Sequence, residues 1–224
     1  VANMSTIELV IFDCDGVLVD SEMLSKRNLA LYLNELGMPH TVEETLALYT
    51  GLSMTSAKKI IEDAWGPLPL EFEEEFRARN RISFERDLEP ISGVPEALVM
   101  IQAATCVASS GQLDRVRYSL ELTGLFDHFG SSVFSANQVS NGKPAPDLFL
   151  YAARQMNTAA HNTLVIEDSP AGIQAGIAAG MTVVGFTGGS HIGPGHDDTL
   201  RGLGAHHILD HMNGLPDLIA RLQT

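Results

Sequence analysis

The stretch Leu9-Val10-Ile11-Phe12-Asp13-Cys14-Asp15-Gly16 decides the fold of this chain. Its first four residues are aliphatic or aromatic and Gly16 interrupts the run, which predicts a short buried strand. The carboxylates of Asp13 and Asp15 follow this strand directly. Burial of two like charges costs several kcal/mol per ion unless a cation compensates for them. The pair therefore indicates either a cation site or an Asp-rich turn, since Asp and Gly are common turn residues.

The composition limits the classes of protein to be considered. With 224 residues, 45% of them hydrophobic, the chain can form one substantial domain and a smaller one. Its formal net charge of −14 argues against nucleic acids and anionic membranes as partners. The sequence shows no signal-peptide pattern, no apolar run of membrane-spanning length and no disulfide framework. We therefore expect a cytoplasmic protein. For its assembly, the expectation is a monomer or a weak dimer.

The sequence pattern of residues 20–87 predicts an all-helical segment. Apolar residues recur there at helical spacing, and no strand pattern interrupts them. Thr41 and Glu44 form a capping-box pattern at the start of one helix. Residues Glu71 to Arg86 predict a long, charged amphipathic helix. This segment therefore indicates a helical domain of its own.

Beyond residue 88, short apolar runs alternate with helical patterns. The predicted strands are Cys106–Ala108, Ser132–Phe134, Thr163–Ile166, Thr182–Phe186 and His207–Leu209. Such alternation is typical of an α/β protein whose parallel sheet is covered by helices on both faces. Because the first strand precedes the helical segment, we predict a discontinuous, Rossmann-like core formed by residues 1–19 and 88–224. The helical domain, 20–87, is inserted into it.

Two other strand ends carry residues that can bind an anion. Ligands of open α/β sheets bind at the carboxyl ends of the strands, so these ends can meet in space. Ser109-Ser110-Gly111 precedes a helix, where hydroxyls and amides can bind phosphate, or where the serines simply cap the helix. Lys143 lies near a helix start, where a cation is unfavourable unless an anion is bound nearby. The alternative for Lys143 is a solvated loop lysine.

A further strand end carries two more acids, Glu167 and Asp168. Either Asp168 or Ser169 can cap the helix that follows, so a capping role is the alternative for Asp168. Gly172 leaves little bulk on this helix, which can therefore pack close to the sheet. If the acids are not caps, two strand ends supply carboxylates to one place.

Together these residues predict a phosphoryl-transfer site. Carboxylate oxygens suit Mg²⁺, which keeps several waters and binds through a few carboxylates and a substrate phosphate. Lysine and hydroxyl groups suit the remaining phosphate oxygens. Such a site acts mainly through positioning and charge neutralisation.

The order and spacing of these motifs resemble those of the haloacid dehalogenase superfamily, in the group that includes β-phosphoglucomutase and small sugar-phosphate phosphatases. The stretch from Asp13 to Leu18 is similar to the first motif of the family, Ser109 to the second, Lys143 to the third and Glu167-Asp168 to the fourth. The helical segment resembles the cap of the family. The resemblance covers nearly the whole chain and implies a phosphatase that hydrolyses a small phosphorylated metabolite, such as a sugar or polyol phosphate.

The resemblance also implies roles for the four acids. Asp13 would attack phosphorus and become an aspartyl phosphate. Asp15 would protonate the leaving alkoxide and then activate water. Asp13, Asp168 and the backbone carbonyl of Asp15 would hold Mg²⁺, and Glu167 would support the metal through water.

Phosphate binding is implied for the other two motifs. Ser109 and the Ser110 amide would bind the transferring phosphate, and Lys143 would steady both the phosphate and the nucleophile. This agrees with the chemistry, because Asp13 is a usable nucleophile only if a cation and a lysine keep it ionised.

Four alternatives to phosphate-ester hydrolysis are considered: dehalogenation, phosphomutase activity, phosphonate cleavage and binding without turnover. Asp15 argues against dehalogenation, since the dehalogenase branch lacks a carboxylate at this place. β-Phosphoglucomutase uses a hinge histidine and a cap arginine, whereas Ser25 and Met54 occupy those positions here, which favours a phosphatase over a phosphomutase. A phosphonatase would need a Schiff-base lysine in the cap, such as Lys58 or Lys59. A binding module that keeps the pocket without turnover is a further alternative.

The remaining reactive residue types are expected to be structural. Five histidines near the C-terminal end match no metal-ligand spacing and are expected to be structural or on the surface: His191, His196, His206, His207 and His211. Cys14 lies between two carboxylates, which should raise the pKa of its thiol.

Overall fold

The computed structural model describes residues 6–50, 52 and 54–223. The strands among these residues are β1 (Leu9–Phe12), β2 (Ala104–Ser109), β3 (Val133–Ser135), β4 (Thr163–Glu167), β5 (Thr182–Phe186) and β6 (His207–Leu209). The helices are α1 (Ser21–Glu35), α2 (Val42–Tyr49), α3 (Met54–Trp65), α4 (Phe72–Asp87), α5 (Val94–Met100), α6 (Leu113–Leu122), α7 (Phe126–Phe129), α8 (Asp147–Gln155), α9 (Pro170–Ala178), α10 (His196–Gly202) and α11 (Leu215–Leu222).

The strands form one parallel sheet in the order β3-β2-β1-β4-β5-β6. β1 lies between β2 and β4, with Phe12 opposite Val107 on one side and Ile166 on the other. The chain order reverses between β1 and β4, which is the switch point where ligands of such sheets bind. The predictions of an α/β class and of a parallel sheet are confirmed.

β1 is buried on both of its faces. Leu9 and Ile11 belong to the same buried cluster as Phe149 of α8, on one face of the sheet. Phe12 meets the ring of Phe129 from α7 edge-on, with 6.1 Å between ring centroids. Double-sided burial is the reason that the strand is a continuous apolar run rather than an alternating one.

Residues Ser21–Leu88 form a compact unit of their own, and the segments before and after it form a second unit that contains the sheet. The first unit contains α1 to α4 and no strand among the described residues. In its core, Tyr32 stacks on Phe72 with 5.0 Å between ring centroids. The capping box predicted for Thr41 and Glu44 is confirmed, since each residue's side chain accepts a hydrogen bond from the other's backbone N–H.

Some element ends differ from the sequence pattern. The sequence pattern predicts that one helix ends at Gly51, that residues 52–55 form a loop and that the next helix begins at Ser56. In the structure α3 begins at Met54, inside the predicted loop; Gly51 and Ser53 lie outside the described residues. No helix is predicted at α7, α10 or α11, which are four, seven and eight residues long. Within the described part of the chain, no helix has both the length and the apolar character needed to cross a membrane.

Candidate active site

Lys143 connects two of the predicted strand ends. Its Nζ lies 2.6 Å from Oδ1 of Asp13 and 2.7 Å from Oε1 of Glu167, and it donates to the carbonyl of Ala108 at 3.0 Å. The lysine side chain is only 3% exposed. Lys143 is therefore a buried partner of two carboxylates and not a solvated loop residue.

Asp13, Glu167 and Asp168 form a buried cluster whose carboxylate oxygens lie within 4.8 Å of one another. Burial raises the pKa of Asp13 well above its usual range; Lys143 opposes this rise, and the neighbouring carboxylates add to it. Burial alone would lower the pKa of Lys143, but Asp13 and Glu167 raise it, so the ammonium stays charged. One lysine cannot balance three carboxylates, and a set of hard oxygen ligands of this kind fits a divalent cation such as Mg²⁺.

The turn from β4 into α9 shows which residue is the cap. Ser169 accepts a hydrogen bond from the Gly172 N–H at 3.1 Å, so Ser169 and not Asp168 caps α9. The backbone N–H and the hydroxyl of Ser169 also donate to Oε2 of Glu167, at 2.8 and 2.9 Å. Because the cap uses Ser169, the carboxylate of Asp168 remains part of the acidic cluster.

Ser109 and Ser110 lie at the neighbouring strand end. Ser109 is the last residue of β2 and is buried, and its hydroxyl accepts from the Gly111 N–H at 3.0 Å. Ser110 is exposed. The bond from Lys143 to the carbonyl of Ala108 brings this end of β2 next to the acidic cluster.

Asp15 is bound by an arginine rather than by the lysine. Arg115, in the first turn of α6, forms a two-pronged ion pair with both carboxylate oxygens of Asp15, 2.7 Å from Nη1 to Oδ1 and 2.5 Å from Nη2 to Oδ2. Asp13 and Asp15, which look equivalent in sequence, therefore have different partners. One belongs to the acidic cluster, and the other is held by a guanidinium group.

Comparison with known proteins supports the family resemblance that the four sequence motifs indicate. The family of haloacid dehalogenase-like hydrolases matches residues 10–186, which include all four motifs. The chain belongs to this family.

Three relatives of this haloacid dehalogenase-like hydrolase illustrate the likeness. It is 34% identical to the 6-phosphogluconate phosphatase of Escherichia coli K12, over 85% of this chain and 87% of that protein. It is 31% identical to the phosphorylated carbohydrates phosphatase of Thermotoga maritima, over 78% and 82% of the two chains. A conserved haloacid dehalogenase-like protein of unknown function from Agrobacterium tumefaciens superposes with a TM-score of 0.87 at 35% identity, covering 97% of this chain and all of the other. The prediction of a phosphatase of this family is confirmed.

Two residues of this hydrolase at the site were not predicted from the sequence. The guanidinium group of Arg115 lies over Gly111, and a Cβ on Gly111 would come 2.0 Å from Nη2 of Arg115. A cation in the first turn of a helix is unfavourable without an anionic partner, and this signal could have indicated Arg115. His191 is expected from the sequence to be structural or on the surface. Its side chain is only 3% exposed, and its Nε2 lies 2.9 Å from Oδ2 of Asp168. Its only signal in the sequence is its position in a glycine-rich loop.

The expectation for Cys14 is confirmed. Burial raises the pKa of its thiol well above the usual range, and the carboxylate of Asp15 adds to the effect. Cys14 is therefore not a reactive thiolate beside Asp13.

Gly172→Ala should disrupt the hydrolase site from within α9. A Cβ at this position would lie 1.8 Å from Oε1 of Glu167, the oxygen that accepts from Lys143. We expect the free energy of unfolding to fall by about 1–3 kcal/mol. Phosphatase turnover should fall by more than about tenfold, which corresponds to a rise of 1.4 kcal/mol in the activation barrier. Thermal unfolding and steady-state kinetics measure the two effects. Gly202→Ala is the control, because a Cβ there meets nothing within 4 Å; equal behaviour of the two variants would contradict the prediction.

Proposed function

We propose that this protein is a Mg²⁺-dependent phosphatase that hydrolyses a small phosphorylated sugar or polyol through an aspartyl-phosphate intermediate. The observation that carries the proposal is the buried ammonium of Lys143 between Asp13 and Glu167, with Asp168 in the same cluster. The relatives that act on 6-phosphogluconate and on phosphorylated carbohydrates support the substrate class.

Asp13 is proposed as the nucleophile. One of its carboxylate oxygens attacks phosphorus, the bond from phosphorus to the substrate oxygen breaks, and Asp15 gives a proton to the departing alkoxide. Lys143 holds Asp13 in place and donates to the phosphate, while Ser109 and the Ser110 amide bind the other phosphate oxygens. Positioning and charge neutralisation carry most of the rate enhancement in such a transfer.

Hydrolysis of the intermediate uses the same residues. Asp15 takes a proton from a water molecule, the water oxygen attacks phosphorus, and the bond to Asp13 breaks to release phosphate. Asp13, Asp168 and the backbone carbonyl of Asp15 would hold Mg²⁺, and Glu167 would support it through water. A bound Mg²⁺ would reduce the repulsion between the carboxylates and the phosphate.

The helical unit Ser21–Leu88 is proposed as a cap that selects the substrate. It is inserted directly after the first motif, as the cap is in the resembling family.

The direct test is a screen of phosphomonoesters with Mg²⁺, read out as released inorganic phosphate. The panel includes 6-phosphogluconate, hexose phosphates and hexitol phosphates, each with and without EDTA. We expect Mg²⁺-dependent hydrolysis of at least one member. A folded protein that is inactive on the whole panel would contradict the proposal. If phosphorus NMR instead showed net isomerisation of hexose phosphates, the protein would be a phosphomutase.

Arg115→Met should slow hydrolysis of the intermediate more than its formation. The two-pronged ion pair favours the charged form of Asp15, which is the form that accepts a proton from water. With p-nitrophenyl phosphate the leaving group needs little protonation, so the first step should persist. We expect a burst of nitrophenol followed by a steady-state rate lower by about 10²-fold, the lower end of the contribution of a general base.

Rapid-mixing kinetics measure the burst and the steady-state rate together. Arg201→Met, at an exposed position of α10, is the matched control and should behave as wild type. A fall in both phases to the same extent would argue against a role of Arg115 in the second step.

A further inference from the structure

Two histidines that the proposed reaction does not use contact Asp168. Nε2 of His191 lies 2.9 Å from Oδ2 of Asp168, and Nε2 of His196 lies 2.6 Å from the backbone carbonyl oxygen of Asp168. Because a carbonyl oxygen only accepts hydrogen bonds, Nε2 is the donor atom of His196. The carboxylate and the peptide group of one residue are thus each held by a separate imidazole.

His191 occupies a slot between two glycines. A Cβ on Gly16 or on Gly189 would lie 2.7 Å from Cε1 of the ring, so a side chain at either position would displace it. The preceding residue, Ser190, donates its hydroxyl to Oδ1 of Asp20 at 2.8 Å and so anchors this part of the loop. The imidazole is therefore fixed in place on several sides while its Nε2 meets Asp168.

We propose that His191 is a positioning residue that orients the carboxylate of Asp168 for a divalent cation. The inference rests on the proposed function, in which Asp168 is a metal ligand. A hydrogen bond from a fixed imidazole holds the carboxylate in one orientation before the cation arrives, which lowers the cost of ordering it on binding. Groups that orient metal ligands in this way typically contribute about 10- to 100-fold to metal affinity.

The test compares two substitutions at the same position. His191→Leu fills the slot but cannot donate, whereas His191→Gln offers a side-chain N–H at a reach similar to Nε2. Isothermal titration calorimetry of the full chain with MgCl₂ measures the dissociation constant. We expect His191→Leu to raise it by about 10- to 100-fold and His191→Gln to stay close to wild type. His128→Leu, at an exposed position of α7, is the matched control.

The unfolding temperature without Mg²⁺ separates positioning from a purely structural role. A purely structural role would lower this temperature and leave the dissociation constant unchanged. Equal Mg²⁺ affinity of wild type and His191→Leu would therefore overturn the inference. If His191→Leu does not fold, His191→Asn replaces it, because asparagine is too short to reach Asp168 yet stays polar, and the same loss of affinity is expected.

Failure of the proposed function gives a different result. Wild-type protein that neither binds Mg²⁺ nor hydrolyses any phosphomonoester would overturn the cation site itself, and with it the role of His191. Wild-type protein that binds Mg²⁺, with His191→Leu binding it equally well, would overturn the role of His191 alone.

Discussion

Asp13→Asn is expected to lower phosphatase turnover by about a thousandfold or more while the protein stays folded. The amide has nearly the shape of the carboxylate but cannot form an aspartyl phosphate. Burial and the neighbouring carboxylates already raise the pKa of Asp13, so an uncharged side chain is tolerated there. We expect Lys143 to keep its ion pair with Glu167 in the variant; the pair measures 2.7 Å in the wild-type chain. Steady-state kinetics and thermal unfolding in the absence of metal measure the two halves of this prediction.

The matched control is Asp127→Asn, which removes an exposed carboxylate from the same unit. It should leave turnover and the unfolding temperature unchanged. Activity of Asp13→Asn within about tenfold of wild type, a barrier change of only 1.4 kcal/mol, would remove Asp13 as the nucleophile.

Lys143→Met is expected to be the most destabilising of these substitutions. The thioether has a similar length, but it leaves the buried carboxylates of Asp13 and Glu167 without the cation that bridges them. Removing one partner of a buried ion pair costs about 3–5 kcal/mol, because the other charge remains buried. Turnover should fall as well, since Asp13, the proposed nucleophile, loses its contact with Lys143. Denaturant unfolding at fixed pH and steady-state kinetics measure both effects.

The pH dependence of the free energy of unfolding shows whether the lost charge of Lys143 is what destabilises Lys143→Met. A carboxyl group with a raised folded-state pKa binds more protons folded than unfolded, so its burial lowers stability as pH rises. Loss of the ammonium removes what opposes the rise at Asp13. This part of the stability deficit of Lys143→Met should therefore be absent near the unfolded-state pKa of about 3.9 and should grow as the pH rises above the folded-state pKa that Asp13 has in the wild-type protein.

Lys59→Met is the control for the loss of a lysine. Its ammonium pairs with Asp63, but the side chain is 74% exposed. Exposed ion pairs contribute little to stability, so this variant should unfold like wild type at every pH. A deficit of Lys143→Met that does not change with pH would indicate lost packing instead of lost charge compensation.

The sheet and the acidic cluster were predictable because they depend on order along the chain. A strand buried on both faces must be an apolar run, as Leu9–Phe12 is, and the ends of parallel strands meet at one edge. These two rules bring Asp13, Glu167 and Asp168 to one edge of the sheet, although they leave open whether Asp168 caps the helix that follows it. Lys143 was indicated by the poor fit of a cation to a helix start.

The remaining contacts depend on side-chain directions that spacing does not determine. Asp168 and Ser169 are both good caps, and only the structure shows that Ser169 is the one used. Arg115 reaches Asp15 because Gly111 leaves room for its guanidinium group. His191 lies in a loop without periodicity, so no pattern links it to Asp168.

The central place of β1 has a consequence for the nascent chain. Among the described residues β1 precedes the other strands of the sheet along the chain, yet its partners come much later, since Leu9 lies opposite Ala104 and Thr163. Pairings between such distant residues form slowly, and until they form an apolar strand has both edges unpaired. We therefore expect Asp13, Glu167 and Asp168 to come together only late in folding, after β4 has been synthesised.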